Sequence, residues 1–255
     1  MALFTDGTVS TMEDLLGSES SILEVARTEK IDLTAKLSLA CREIGIELAV
    51  FLVQQSGAEL ASLAGTKPEL RNVVVTEALH TWHTHYTLAL VYRDAYNSQL
   101  NDRHLGKWRA YERLAKRASA ALFEIGLGMV SEPIVQAEKP TLSSVPGALP
   151  AATYFVRVSW LDGNGDEGSA SEPGVLNTPG DSLVVVEAVS APENARGWNV
   201  YAGLADEDVM LQNDLPMPLG QAWTEASSGL KTGRKPGSGQ VPEWYLKASR
   251  VLQRG

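Results

Sequence analysis

Residues 153–168 read TYFVRVSWLDGNGDEG, a run of alternating side chains followed by a cluster of turn residues. Large apolar residues stand at every second position from Tyr154 to Trp160, which is the period of a β-strand with one buried face. Glycine and aspartate then dominate residues 162–168, as is typical of a turn between two strands. This stretch therefore predicts that the surrounding part of the chain is all-β.

Further short strand-like segments follow and alternate with turn clusters. The segments SLVVVEAV, GWNVYAG and QAWTEA are separated by clusters such as NTPGD (177–181), APENARG (191–197) and ADED (205–208). This spacing predicts an antiparallel β-sandwich over residues 151–241. Residues 131–150 contain four prolines, so we expect a connector there that contributes a first edge strand.

The first half of the chain has a different pattern. Only one of the twelve prolines, Pro68, precedes residue 131, and apolar residues recur at every third or fourth position. Residues 1–130 are therefore predicted to form an antiparallel helical bundle, so that the whole chain is an α+β multidomain protein. The predicted elements are a short helix capped by Thr11 and long helices from Ser20 or Ser21 to about Gln54, from Lys67–Pro68 to about Leu100 and from Asp102 to about Leu127. The second long helix has a broad apolar face, which predicts contact with more than one neighbour.

Charge is distributed unevenly along the chain, whose net charge is −9. Residues 131–230 hold 3 basic and 14 acidic residues, whereas residues 231–255 hold 6 basic and 1 acidic. The acidic middle argues against nucleic-acid binding there, because phosphates would be repelled. The basic C-terminal segment, residues 242–255, instead suggests an arm with its own partner.

The beginning of the chain and its single cysteine bear on location. The first ten residues lack the basic and apolar regions of a secretory signal, and the most apolar stretch, residues 44–53, is interrupted by Gly45 and Glu47. One cysteine, Cys41, excludes an intramolecular disulfide framework. We expect a soluble protein made in a reducing cytoplasm.

Three histidines are the strongest candidates for a metal site. His80 and His83 would share one face of a helix, but His85 would point about 140° away from His80. The HExxH pattern is absent, and a tetrahedral site would need ligands from elsewhere in the chain. Helix-surface or packing histidines are the preferred interpretation, with metal binding as the alternative.

The DGNGDEG turn imitates the start of a calcium-binding EF-hand loop through Asp162, Asn164 and Asp166. The match then fails, because Glu167 occupies the position that needs glycine and Pro173 the position that needs a bidentate glutamate. A glycine-rich hairpin turn is the preferred interpretation.

Catalytic candidates are weak in this chain. Asp206, Glu207 and Asp208 lie in a polar turn where solvated carboxylates are expected, and Cys41 lies on the apolar stripe of its helix. A GxSxG elbow, a P-loop and a dinucleotide fingerprint are all absent from the sequence. We expect no enzyme, no catalytic residue, no cofactor and no bound metal.

Two basic segments are candidates for binding a partner. The third long helix carries a basic face within roughly 100° of arc. Ordinary solvated surface is the preferred interpretation, and the alternative is that this face lies at a subunit interface or faces DNA in a channel. The C-terminal arm combines aromatic and basic residues of the kinds that dominate protein interfaces, with a frayed terminus as the alternative. The basic face comprises Arg109, Arg113, Lys116 and Arg117, and the arm comprises Trp244, Tyr245, Leu246, Lys247, Arg250 and Arg254.

The second half resembles the fibronectin-III-like, immunoglobulin-like domains of tailed-phage virion proteins. The resemblance rests on TYFVRVSWLDGNGDEGSASEP (153–173) and on APENARGWNVYAG (191–203), and it covers about residues 141–240. It implies a β-sandwich and leaves the role of the domain open.

The helical half joined to such a domain resembles a phage head-to-tail connector, the adaptor ring beneath the portal. The resemblance implies a homo-oligomeric ring, typically of twelve subunits, with non-specific contact to DNA in its channel. It also implies an arm that engages the portal protein, a downstream tail or nozzle protein as second partner, and no membrane. The location implied is the neck or tail of a virion assembled in the host cytoplasm.

A host-surface module that binds a glycan or a receptor, carried on a helical stalk, is the alternative function. Such a module needs aromatic side chains on the surface of the sandwich, and Trp198 and Trp223 are the candidates. Both also fit strand positions that normally pack in a core.

Overall fold

The computed structural model describes residues 1–7, 9–55, 68–99 and 102–247 of the chain. These residues divide into two units. The helical unit comprises the described residues of 7–131 together with 242–247, and the β unit comprises residues 1–6 and 132–241. The predicted boundary near residue 130 lies next to the observed one, but both ends of the chain are assigned differently from the prediction.

The first six residues belong to the β unit instead of the helical bundle. Leu3 and Phe4 are buried, and the Asp6 carboxylate accepts the backbone N–H of Gln136 at 2.9 Å. At Gly239, where φ is +103°, an added Cβ would lie 2.4 Å from the Met1 carbonyl oxygen. Glycine is required at that position because the N-terminal backbone passes so close to it. In the structure the helical bundle therefore begins after residue 6.

The helical unit begins with three helices, α1 (Met12–Ser18), α2 (Ile22–Glu29) and α3 (Leu33–Gln55). Thr11 caps α1 as predicted, since its hydroxyl accepts the N–H of Asp14 at 3.3 Å and the Asp14 carboxylate accepts the N–H of Thr11 at 2.6 Å.

The predicted single helix from residue 20 or 21 to residue 54 is wrong, because α2 and α3 are separate. Lys30 adopts a left-handed conformation with φ of 56° and ends α2. Asp32 then accepts the N–H of Ala35 at 3.1 Å, which satisfies a free donor at the start of α3. The apolar period continues across this break and so conceals it.

Helix α4 (Glu77–Gln99) is the centre of the helical unit, and it contacts α1, α2, α3 and α5 (Leu105–Ile125). The predicted contact of this helix with several neighbours is confirmed. Helices α4 and α5 are antiparallel, since Tyr92 stacks on Tyr111 at 5.6 Å between ring centroids, and Trp82 meets Phe123 at 5.9 Å.

The sequence predicted that α4 starts at Lys67–Pro68, but the helix starts nine residues after Pro68, at Glu77. Leu70–Asn72 instead form one turn of 3₁₀ helix, and Val73 pairs with Met129 in a β-bridge. The Val74 N–H donates to the Gly128 carbonyl at 3.0 Å. These backbone hydrogen bonds hold the segment extended, so the helix starts only at Glu77.

The β unit contains two antiparallel sheets. Its strands follow the short strand β1 (Leu127–Met129) of the helical unit and are β2 (Thr141–Leu149), β3 (Ala152–Leu161), β4 (Gly174–Thr178), β5 (Ser182–Glu187), β6 (Gly197–Gly203), β7 (Met210–Leu211) and β8 (Trp223–Thr224). In one sheet the strand order is β2–β5–β8, and in the other it is β4–β3–β6–β7. Strand β2 lies at an edge, as the sequence predicted for a strand in residues 131–150.

One apolar core joins the two sheets, which makes the β unit a two-layer sandwich. Tyr154, Val156, Val158 and Trp160 of β3 are all buried, so the alternation in the opening stretch is confirmed. The remaining buried strand residues of this core are Val184 and Val186 of β5 with Trp198, Val200 and Ala202 of β6. Among the described residues, none of the helices combines the length and apolar character that crossing a membrane requires.

Candidate functional site

The C-terminal segment is held on the helical unit by a short strand pair. Strand β9 (Trp244–Leu246) runs antiparallel to β1 (Leu127–Met129), which directly follows α5. The Leu246 side chain is buried, whereas Tyr245 and Lys247 are exposed. Leu246 is therefore a packing residue, whereas the sequence analysis predicted that it contacts a partner. The predicted contacts Arg250 and Arg254 lie outside the described residues.

Two glycines allow the segment with β9 to lie close to β1. Gly126 has a φ of +113°, and a Cβ there would lie 3.0 Å from Cβ of Tyr245. A Cβ at Gly128 would lie 2.8 Å from Pro242 and 2.8 Å from Thr76. Both glycines lie just after α5, where glycine commonly ends a helix, and they also admit the returning strand.

The basic face of α5 lies on the surface as predicted. Arg109, Arg113, Lys116 and Arg117 are all exposed. Lys116 pairs with Glu112 at 3.1 Å, one helical turn away. Among the described residues, the three arginines have no ion-pair partner, so their charges are available to another molecule.

The three candidate histidines do not converge on a common point. His83 is fully buried, with Nδ1 2.5 Å from the Ser10 hydroxyl and Nε2 3.1 Å from the Leu37 carbonyl. Burial lowers the pKa of His83 to about 4. His80 instead lies 3.1 Å from the Asp14 carboxylate. Within the described parts of the chain, no group of three or more His, Cys, Asp or Glu residues has metal-binding geometry.

The DGNGDEG turn is organised by Asp162. Its carboxylate oxygen Oδ1 accepts the N–H groups of Asn164 at 2.8 Å and Asp166 at 2.9 Å, and Gly165 has a φ of +86°. An aspartate that accepts backbone N–H groups two and four residues on is typical of a tight turn. The predicted turn after β3 is confirmed by these contacts.

Glu167, at the end of that turn, gathers four donors. It accepts hydrogen bonds from the hydroxyls of Ser159 and Tyr201, from the Asn199 amide at 3.1 Å and from the Arg234 guanidinium at 2.6 Å. Burial raises the pKa of Glu167, but these hydrogen bonds together lower it below the usual range. The sequence analysis missed this cluster, although the alternation of Asn199 and Tyr201 places both on one face of β6.

Glu19 forms a similar cluster in the helical unit. Its carboxylate accepts hydrogen bonds from the Ser21 hydroxyl at 2.8 Å, from the Tyr111 hydroxyl at 3.0 Å and from the Lys107 ammonium. Burial raises the pKa of Glu19, but the hydrogen bonds from Lys107, Ser21 and Tyr111 bring it down to about 2. The carboxylate is therefore ionised at neutral pH and stabilises the corner between α1 and α2.

The weaker catalytic candidates are in ordinary surroundings. Asp206 pairs with Arg157 at 2.8 Å, and Asp208 lies 3.4 Å from Lys235, so both carboxylates belong to surface ion pairs. Cys41 is half-buried, and burial raises the pKa of its thiol. A raised pKa keeps the thiol protonated and lowers its nucleophilicity.

A cavity of about 410 Å³ opens on the β unit and is lined by Tyr154, Met210 and Glu225 among others. Glu225 is buried, its Oε2 accepts the N–H of Val184 at 3.2 Å, and burial raises the pKa of the carboxyl group. Its other oxygen has no hydrogen-bond partner among the described residues and no contact with solvent. The cavity therefore does not offer that oxygen to a ligand.

The two tryptophans considered for surface recognition belong to the core. Trp198 is buried, and its indole N–H donates to the Pro218 carbonyl at 3.1 Å. Trp223 is half-buried and packs against the same core. Neither presents a full aromatic face to a glycan.

The sequence matches no family model and no curated protein. What the chain can do therefore follows from its own surfaces. The described residues offer a basic face on α5 with three unpaired arginines, an exposed tyrosine on β9 and an exposed lysine directly after it, all in the helical unit. Arginine and tyrosine are enriched in protein interfaces, which favours binding of a macromolecular partner over chemistry on a small substrate.

Proposed function

We propose that this chain is a structural protein of a tailed-phage virion, a head-to-tail adaptor, and that it has no catalytic activity. Copies of the helical unit would form a ring around the DNA channel, on the order of twelve in number. The β unit would face outward or toward the downstream tail or nozzle protein. The location proposed is the neck of the virion.

The strand pairing of the β unit supports a fibronectin-III-like sandwich. Strand β2 pairs with β5, and β3 pairs with β6, as the second strand pairs with the fifth and the third with the sixth in sandwiches of this class. Strand β4 pairs with β3 and not with β5, which distinguishes this arrangement from a constant-type immunoglobulin domain. The first strand of such a domain would correspond to residues 132–140, where Ile134 and Ala137 enter the core without strand pairing.

The observation that carries the adaptor proposal is the placement of β9. This strand fixes Tyr245 and Lys247 on the surface of the helical unit, because Leu246 is buried and three residue pairs join β9 to β1. An aromatic and a basic side chain held at a fixed position are suited to dock on a large partner. We propose the portal protein as that partner.

Binding to the portal protein of the same virus tests this role. Removing residues 248–255 keeps β9 intact, and Tyr245→Ala removes an exposed ring without touching the buried Leu246. We expect both variants to form the same ring as the full chain by negative-stain microscopy and to lose at least tenfold in portal affinity, which corresponds to about 1.4 kcal/mol.

Leu215→Ala is the matched control, because it removes an exposed apolar side chain from the β unit. Its portal affinity should equal that of the full chain. Undiminished portal binding by both the truncated chain and Tyr245→Ala would rule out docking through this segment. A full chain that forms no ring, with or without portal, would rule out the adaptor role.

A further inference from the structure

Helix α3 carries an apolar stripe that faces away from the core. Ile46, Val50 and Val53 are exposed by 64%, 50% and 67%. They stand at i, i+4 and i+7, so they form one row of about 10 Å along the helix. The buried residues of α3, such as Ile44 and Leu48, lie on the opposite side of the helix. Among the described residues, no neighbouring helix covers this stripe.

Helix α5 carries a second exposed apolar stripe. Leu114 is 40% exposed and Ile125 is 56% exposed, with Ala121 exposed and Ala118 half-buried between them. The four residues stand at i, i+4, i+7 and i+11, a row of about 16 Å. This row lies about 90° around the helix from its buried side, so α5 shows the stripe to solvent while packing on α4.

Charges of opposite sign predominate beside the two stripes. Glu43 and Glu47 border the stripe on α3, and one exposed cation, Arg42, stands at its N-terminal end. Arg113 and Arg117 border the stripe on α5, and one exposed carboxylate, Glu124, lies two turns beyond Arg117. Burial and the nearby Glu43 raise the pKa of Glu47, as expected for two neighbouring carboxylates, and Glu43 also accepts a hydrogen bond from the Tyr86 hydroxyl. Among the described residues, neither arginine has an ion-pair partner. The two helices therefore present complementary surfaces: apolar with acidic, and apolar with basic.

We infer that copies of this chain associate head to tail, the α3 stripe of one copy packing on the α5 stripe of the next. Glu43 and Glu47 then face Arg113 and Arg117 across the contact. A second copy is the occupant because the complementary surface belongs to the same unit of the same chain. This inference extends the proposed ring and rests on it, since a contact between two different surfaces leaves each copy able to bind a further one. Such a contact forms a ring when the rotation from copy to copy closes.

The composition of the two surfaces fits this arrangement. The centre of a protein interface is apolar while its rim is polar. The two stripes supply the centre, and the charged rows beside them supply the rim. Exposed contiguous apolar surface of this kind marks interaction sites on soluble proteins.

Mixing two blocked full-length variants tests the head-to-tail geometry. The α3-blocked variant carries Ile46→Asp and Val50→Asp, and the α5-blocked variant carries Leu114→Asp and Ile125→Asp. We expect the wild-type chain to form an oligomer by sedimentation velocity and each blocked variant alone to be a monomer. A 1:1 mixture of the two should form a dimer and nothing larger, because only one complementary pair of surfaces is left.

A matched control places the same kind of substitution elsewhere. Leu204 and Leu215 are exposed leucines of the β unit, and the variant with both changed to Asp should assemble like the wild type. Circular dichroism at 222 nm checks that every variant retains its helices, which is expected because all substituted side chains are exposed.

Charge exchange tests the rim independently. Glu47→Arg and Arg117→Glu should each weaken association by about tenfold, because each places like charges across the contact. The double variant restores opposite charges and should return to within about threefold of wild type. Arg109→Glu, on the same helix but further from the stripe, should have a smaller effect than Arg117→Glu.

Three results would overturn the inference: a wild-type chain that stays monomeric at every concentration, blocked variants that assemble as the wild type does, or an α5-blocked variant that dimerises alone. The second result, with rings still visible, would leave the proposed adaptor role standing and remove only these surfaces. Conversely, a mixture that dimerises as expected, from a chain that never binds portal, would support the contact and contradict the adaptor role.

Discussion

The helical unit and the β unit each collect donors around one carboxylate, Glu19 in the first and Glu167 in the second. Each carboxylate accepts hydrogen bonds from a serine, from a tyrosine and from a long basic side chain. The basic group also lies over the ring of the same tyrosine, at 6.0 Å for Lys107 over Tyr111 and at 5.6 Å for Arg234 over Tyr201. Two unrelated architectures thus contain the same chemical arrangement.

The difference between the two clusters lies in how the donors reach the carboxylate. In the helical unit, Lys107 and Tyr111 are four residues apart and lie on one face of α5. In the β unit, Asn199 and Tyr201 are two residues apart and lie on one face of β6. The periods that build the two cores therefore also bring polar side chains together. Each cluster should stabilise its own unit and leave the other unaffected.

Replacing either carboxylate by alanine should have the largest effect. Glu167→Ala leaves the Ser159 and Tyr201 hydroxyls without their acceptor, and such donors cost roughly 1–3 kcal/mol each when buried. Glu19→Ala does the same to Ser21 and leaves the Tyr111 hydroxyl with only the Ser18 carbonyl at 3.3 Å. We expect the free energy of unfolding of the β unit to fall by about 3 kcal/mol and that of the helical unit by about 2 kcal/mol. Hydrogen exchange of backbone amides measures this, with faster exchange in α4 for Glu19→Ala and in β6 for Glu167→Ala.

Glu13→Ala and Glu172→Ala are the matched controls, because both remove exposed carboxylates from the same two units. They should leave exchange unchanged. Equal acceleration of exchange in α4 and β6 after a single substitution would mean that the two units unfold together. It would contradict the expectation that each cluster stabilises only its own unit.

Local patterns predicted most of the fold, because most of it is locally determined. The alternation from Tyr154 to Trp160 predicted β3, and Thr11 predicted the start of α1. The pairing of β9 with β1 could not be predicted, since the partners are more than 100 residues apart and each strand is three residues long. The local sequence feature that accompanies this pairing is the pair Gly126 and Gly128, and these glycines also serve to end a helix.

The candidate surfaces were predictable only in part, for a similar reason. The basic face of α5 follows from spacing alone, because charged residues on an amphipathic helix lie opposite or beside the core. The exposed stripe of Ile46 and Val50 was not predicted, since residues 44–53 are apolar on most sides and the regular apolar period of this helix runs through Ile44 and Leu48, which the structure buries. A second apolar row on the other side of the helix is therefore left on the surface.

The second-largest expected effect is on the pH dependence of stability in the helical unit, which contains all four histidines. The unfolded chain protonates His83 near pH 6.5, whereas burial lowers the pKa in the folded chain to about 4. The unfolded state thus binds more protons between these values, so stability is present above pH 6.5 and is lost as pH falls toward 4. We expect the helical unit to lose about 2 kcal/mol between pH 7 and pH 5 from this group.

Urea unfolding followed at 222 nm at pH 7, 6 and 5 measures the loss. The pKa of His85 is also lowered by burial, so it adds to the slope in the same direction. His83→Gln should remove most of the slope whatever it does to stability at pH 7, and His85→Gln should remove less. A His83→Gln chain with the full wild-type slope would show that another group carries the pH dependence.

The smallest expected effect compares the two basic groups directly. The side chains of Lys107 and Arg234 are 52% and 51% exposed, so water screens both ion pairs to a similar degree. Methionine keeps most of the apolar stem at either position and removes the charge. We expect Lys107→Met to cost up to about 1 kcal/mol and Arg234→Met about half as much. Lys107 should matter more because it also lies 5.9 Å from the Tyr92 ring and pairs with the more buried carboxylate.

Urea unfolding in 0.05 and 1 M NaCl checks both values, and both losses should shrink at high salt, since salt screens exposed charges. A loss above roughly 2 kcal/mol for either variant, unchanged by salt, would show that the basic group acts through packing and not through its charge.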